Sequence, residues 1–129
     1  MGSKNRRKMP PEIADLVKRR SRDDCEIRVS PQCNGDGEQL HHRKMRSQGG
    51  PDLVVNLVHV CNACHRWVHR HVSAAYSRGY LVRSVHDPAD RPLLLPTRFF
   101  GRRWHRLTEE GATRPTPAPL DYDPDDDVE

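Results

Sequence analysis

The apolar positions of this chain come in short, separated groups, and their spacing predicts several small elements joined by polar turns. Ile13, Leu16 and Val17 fall at i, i+3 and i+4 between Pro10-Pro11 and the basic run Lys18-Arg19-Arg20, which predicts one amphipathic helix over 11–21. A short alternating stretch, Cys25-Glu26-Ile27-Arg28-Val29, leads to Cys33-Asn34-Gly35-Asp36-Gly37, where Asn-Gly and Asp-Gly tolerate the positive φ of tight turns. Residues 38–42 read as a strand, 43–52 as a polar glycine-rich loop, and 53–60 as a second, β-branched strand running through Asn56. A helix is predicted from Asn62, with Ala63, Trp67 and Val68 facing inward, followed by a helical turn over 73–78 that Gly79 stops. Tyr80-Leu81-Val82 returns to extended structure, and beyond Val85 the prolines leave room only for short strands over 93–95 and 102–107.

The two ends break with this pattern. Residues 1–10 are basic and lack apolar periodicity, while residues 111–129 are proline-rich and then acidic, so both are expected to be disordered. One domain is expected over 11–110, with its core at 25–82.

Composition sharpens the picture in two ways. Of 129 residues only 34% are hydrophobic and 31% are charged, so the core is thin, and a domain of that kind usually needs a disulfide or a metal as a staple. The formal charge of +4 hides an asymmetry. Six of the 18 acids lie in residues 117–129, which hold no Lys or Arg, so the 22 basic groups of residues 1–116 face only 12 acids. A polyanion is the natural partner for such a body, and nucleic acid is the commonest one. No apolar run approaches membrane-spanning length and no apolar h-region follows Met1, so the expected setting is cytoplasmic, where cysteines serve as metal ligands before disulfides.

Cys25-x7-Cys33 and Cys61-x2-Cys64 form two pairs flanking the strand–loop–strand segment. The second pair has the knuckle spacing that lets two thiolates converge on one tetrahedral ion, and the first contains its own turn, so one structural zinc is expected to tie the segment's start to its end. A redox Cys-x-x-Cys would sit in a βαβ unit, and none surrounds this one. His65 and His69, four apart on the predicted helix, share a face and can grip one ion, with a hairpin side chain completing the site.

The stretch Leu40–His69 (LHHRKMRSQGGPDLVVNLVHVCNACHRWVH) resembles the HNH endonucleases, and most closely the zinc-stapled, stand-alone forms encoded by tailed bacteriophages. It carries the doubled histidine, the Gly-Gly loop, the Asn-Leu-Val strand start and the Cys-x-x-Cys-His helix start, and the match extends over about residues 25–82. The resemblance implies an α+β fold of the ββα-metal (His-Me finger) class, braced by the four cysteines. It implies His42 as the general base, Asn56 as the residue that holds the loop and orients the base, and His41 and His65 as catalytic-metal ligands, with His69 where some members place a further ligand. Many members have an acid at the position of His41, and this departure leaves Mg, Mn, Ni and Zn all open as the catalytic ion. Arg43, Lys44, Arg46, Arg66 and Arg70, in or beside the motif, are expected to hold DNA phosphates.

The function expected is hydrolysis of DNA phosphodiesters, with phage packaging proteins as further candidate partners. The alternative is a zinc-dependent DNA-binding module without catalysis, which would use the zinc and the charge but has no need of the His41-His42, Asn56, His65 set.

Overall fold

A computed structural model describes residues 8–127, and the expected disorder of the arm at 1–10 therefore falls mostly outside the described residues. Helix α1 spans Pro11–Ser21, with Pro11 at the first helical position, where its missing N–H costs nothing. Its apolar side chains Ile13, Leu16 and Val17 pack with Val54, Leu57 and Leu40 as a small second core. The helix ends where Arg22 and Asp23 both turn left-handed and their N–H groups donate back to Arg19 O and Lys18 O.

Strands β1 (Gln39–His42) and β2 (Leu57–Val60) form an antiparallel hairpin in which His41 pairs with Val58 and His42 with Leu57. Helix α2 (Asn62–Arg70) follows one residue after β2, and α3 (Val72–Ser77) follows α2 across His71. The unit is therefore strand, strand, helix in chain order. The second strand is shorter than its β-branched run suggests. Val54–Asn56 coils into a single 3-10 turn because the Asn56 side chain is engaged with the loop before it. The stretch at 25–29 forms no strand; an isolated bridge joins Asp24 to Asp36, and Cys25 N and Glu26 N donate to Gly35 O and His59 O.

A second, three-stranded antiparallel sheet is built from β3 (Leu93–Pro96), β4 (Arg102–Leu107) and β5 (Thr113–Pro115), in the order β3-β4-β5. Leu93, Leu95 and Leu107 reach from it into the main core, where they meet Val58, Val60, Trp67, Val68, Ala74, Ala75 and Tyr80. Tyr80 is fully buried, and its hydroxyl donates to Leu94 O at 2.7 Å. Gly79 makes the preceding corner. Its φ is +82, and a Cβ there would lie 2.1 Å from Pro92 O.

The last segment departs from the expectation of disorder. Residues 113–115 are a strand, and Pro124–Asp126 forms a 3-10 turn laid on α3. Asp127 pairs with Arg78 at 2.7 Å, Asp121 pairs with Arg91 at 2.9 Å, and Tyr122 packs edge-on against Trp104. The segment lacks an apolar stripe of its own; it is held by cations and by one aromatic contact supplied from the rest of the fold. No helix among the described residues is long and apolar enough to cross a membrane.

Candidate metal and acid–base site

The four cysteines converge. Cys25, Cys61 and Cys64 are buried and Cys33 half-buried, none is in a disulfide, and their sulfurs lie within 4.8 Å of one another. Cys33 and Cys61 have their sulfurs 3.7 Å apart. A disulfide needs about 2.05 Å, whereas two thiolates on one tetrahedral ion, each at about 2.3 Å, stand roughly 3.8 Å apart. The spacing therefore fits a shared ion.

Backbone N–H groups complete the cup. Val29 and Ser30 donate to Cys64 Sγ, Gly35 to Cys33 Sγ, and Cys64 to Cys61 Sγ at the start of α2. Such donors favour thiolate, as a metal does. Hydrogen bonding with Cys64 draws the Cys25 thiol down to about 4, and the same contact pushes Cys64 up. This cluster can hold one structural metal ion.

A second group of potential ligands lies on the hairpin and α2. Ring nitrogens of His41, His65 and His69 lie within 4.8 Å of one another. His65 Nε2 and His69 Nε2 are 3.2 Å apart, close to the roughly 3.3 Å of two nitrogens sharing one tetrahedral ion at about 2.0–2.1 Å each. His41 is only 3% exposed, and its Nε2 lies 2.8 Å from Tyr80 O. A carbonyl can only accept, so Nε2 carries the proton and Nδ1 keeps its lone pair for the cluster. That outer bond from a backbone carbonyl is the usual way a ligating imidazole is oriented. Burial, chiefly, and then the neighbouring imidazoles pull His41 down to about 3; burial and His69 also lower His65. Both rings are thus kept neutral, the form that binds metal.

His42, the next residue on β1, is turned to a different partner. Its Nε2 lies 2.7 Å from Asp52 Oδ1, and the Asp52 side chain is 6% exposed. The carboxylate accepts a hydrogen bond from Nε2–H, which leaves Nδ1 as the basic nitrogen. Arg46 donates to the same Oδ1 through Nε and Nη2. Asp52 is not a residue that the sequence marks. Its neighbours Gly49-Gly50-Pro51 make it read as a turn residue, and nothing local signals a histidine ten positions back.

Asn56 is fully buried and staples the loop between the two strands. Its Oδ1 accepts from Lys44 N at 2.7 Å, and its Nδ2 donates to Lys44 O and Pro51 O. This holds the residues after His42 and the residue before Asp52 at once. Gly50 is required in the same loop, because a Cβ there would sit 1.7 Å from Lys44 O.

The basic residues divide. Arg43, expected to hold phosphate, is corrected by the fold: it is fully buried, and its guanidinium donates to the carbonyls of Gly79, Val55, Pro88 and Arg91. It is a structural bolt between the hairpin and residues 79–91. Lys44 is half-buried and donates to His86 O, and Arg46 engages Asp52. Arg66 and Arg70 are exposed on α2, where they line a groove with Pro31, Trp67 and His71. His59, outside the expected motif, is buried against Ser21 Oγ at 2.8 Å. Compared with protein-family models, curated proteins and solved structures, the chain matches none. Function therefore has to be read from the residues themselves.

Proposed function

We propose that this protein is a metal-dependent DNA endonuclease of the HNH type, working on a ββα-metal unit built from β1, β2 and α2, with zinc in the four-cysteine cluster. The reading is supported above all by one juxtaposition. Three imidazoles converge beside a fourth, His42, whose Nε2 is fixed on a carboxylate and whose Nδ1 is left basic. A binding module has no use for that pair. The motif resemblance over residues 40–69 and the basic body of the chain point the same way.

His41, His65 and His69 would hold the catalytic ion, and imidazole donors suit Ni or Zn better than Mg or Mn. Such an ion would supply positive charge to offset the charge that develops during phosphodiester hydrolysis. His42 Nδ1 takes a proton from the attacking water, and Asp52 keeps the ring in the competent tautomer and stabilises it once charged. Asn56 fixes the loop that carries both partners. Exposed Arg66 and Arg70 are the remaining candidates for flanking phosphates.

The test is cleavage of supercoiled plasmid across Mg, Mn, Ni and Zn, with chelator and with His42→Ala as controls. The expected products carry 5′-phosphate and 3′-hydroxyl ends, and His42→Ala is inactive while still binding DNA. Tight DNA binding with no cleavage under any metal overturns the enzyme reading in favour of a non-catalytic zinc module.

A further inference from the structure

The chain has two phenylalanines, adjacent in sequence, and neither joins the core. Phe99 is 78% exposed and Phe100 69%, at the tip of the turn joining β3 to β4. In a protein with so little apolar material, leaving its two largest purely hydrocarbon rings in water calls for a reason.

The tip is an ordered turn. Thr97 N donates to Gly101 O at 2.8 Å, Thr97 Oγ1 donates to the same oxygen, and Phe100 N donates to Thr97 Oγ1. Gly101, at φ +68, supplies the left-handed residue the turn needs. The base of the hairpin is anchored as well: Arg102 donates to Ile27 O, Arg28 O and the Tyr80 hydroxyl. The rings are therefore presented on a rigid support, which lowers the entropy lost on binding.

Charge says what they meet. Arg98 lies over the Phe99 ring at 5.4 Å and Arg103 over the Phe100 ring at 6.0 Å. From residue 93 to residue 108 the chain holds four arginines and no acid. We infer that the Phe99–Phe100 turn is a nucleic-acid contact, with the two rings stacking on unpaired bases while Arg98 and Arg103 hold the adjoining phosphates. Flat rings interleaved with guanidinium groups are what single-stranded nucleic acid requires, because every base offers a π-face and every linkage a charge. A membrane anchor is disfavoured by the same geometry, since the cations lie over the rings, where an anchor keeps its charge at the headgroups and its rings below. The inference shares with the proposed nuclease only the nucleic-acid partner. It concerns a different part of the molecule and stands or falls without catalysis.

The test is metal-independent binding of the full chain to a short single-stranded oligonucleotide carrying 2-aminopurine, to its duplex, and to vesicles rich in phosphatidylserine. The wild type is expected to prefer the single strand and to quench the 2-aminopurine by stacking. Phe99→Ala/Phe100→Ala should keep the wild-type melting temperature, lose roughly tenfold or more in single-strand affinity, and leave the salt slope unchanged. Phe99→Trp/Phe100→Trp should restore binding. Arg98→Ala/Arg103→Ala should instead flatten the salt slope by roughly 1.4, at about 0.7 for each phosphate no longer neutralised. Unchanged affinity in the double-alanine variant overturns the inference, as does vesicle binding that depends on the rings while oligonucleotide binding does not. Absent cleavage with intact, ring-dependent binding would remove the nuclease and leave this contact standing.

Discussion

Asp52 Oδ1 accepts a hydrogen bond from His42 Nε2–H at 2.7 Å from the far side of a ten-residue loop, and the carboxylate is almost wholly out of solvent. A buried carboxylate behind an imidazole fixes its tautomer and supports the cation formed when it takes a proton. Replacing Asp52 with Asn should therefore lower cleavage by roughly 10²- to 10⁴-fold, the scale of general-base catalysis, with metal and DNA affinity little changed. An independent check is ¹⁵N NMR of His42. The wild type should report the Nε2–H form, and Asp52→Ala should relax it to a mixture of tautomers.

The sulfur cluster predicts one tightly held zinc per chain, since the 3.7 Å Cys33–Cys61 spacing suits a shared tetrahedral ion. Strong chelator or Cys61→Ser should unfold the domain and not merely slow it, because structural zinc contributes on the order of 10 kcal/mol to folding. Elemental analysis together with circular dichroism before and after chelation measures this directly. A Cys61→Ser protein with the wild-type melting curve would rule the staple out.

Arg43 should behave as a core residue. Removing its side chain leaves the carbonyls of Gly79, Val55, Pro88 and Arg91 without that donor in a buried place, at a cost of about 3–5 kcal/mol. Arg43→Lys should be nearly as damaging as Arg43→Met, since one ammonium cannot span those acceptors. Urea unfolding reads the loss, and the folded fraction should bind DNA as the wild type does.

Acid should weaken the fold through the neutral histidines. Burial holds His41 at about 3 and also lowers His59 and His65. The unfolded chain protonates these rings near 6.5. Below that value it binds more protons than the folded state, so stability falls as pH falls, and for His41 the loss runs on toward pH 3. Each such histidine contributes at most about 1.4 kcal/mol per pH unit. Stability measured from pH 7 down to 5.5 should show this slope, and His41→Ala should reduce it.

Ending the chain after Thr116 keeps β5 but removes the acidic partners Asp127 of Arg78 and Asp121 of Arg91. The truncated protein should bind DNA more tightly at low ionic strength, and the difference should close as salt rises. The cost in stability should come from the largely buried Asp127–Arg78 pair and the Tyr122–Trp104 contact, since the Asp121 pair is solvent-exposed on its acidic side and contributes little. Identical salt profiles for the two proteins would show that the acidic segment does not compete with DNA.

Features written in local spacing were legible before any fold was known. Ile13, Leu16 and Val17 repeat at the helical period, and α1 runs over the residues they predict. Cys61-x2-Cys64 and His65-x3-His69 can each meet an ion through backbone geometry alone, and both pairs do converge with partners from farther away. What stayed hidden depended on distant groups. Arg43 beside a histidine doublet reads as a phosphate ligand until carbonyls up to 48 residues away close around it. Asp52 reads as a turn former until the loop folds back on His42. Composition marks residues 111–129 for disorder because it counts their few apolar side chains, whereas in the described part of that segment Arg78, Arg91 and Trp104 do the holding.

The bolt formed by Arg43 also sets an order of events during synthesis. The ribosome delivers every histidine and cysteine ligand by residue 69, yet the carbonyls that seat Arg43 at Gly79, Pro88 and Arg91, and the Tyr80 carbonyl that orients His41, come later. A nascent chain with only its first seventy-odd residues clear of the exit tunnel would have all four cysteines free to meet metal, while His41 still lacked its Tyr80 carbonyl. The histidine cluster would thus be aligned only once residue 91 had cleared the exit tunnel.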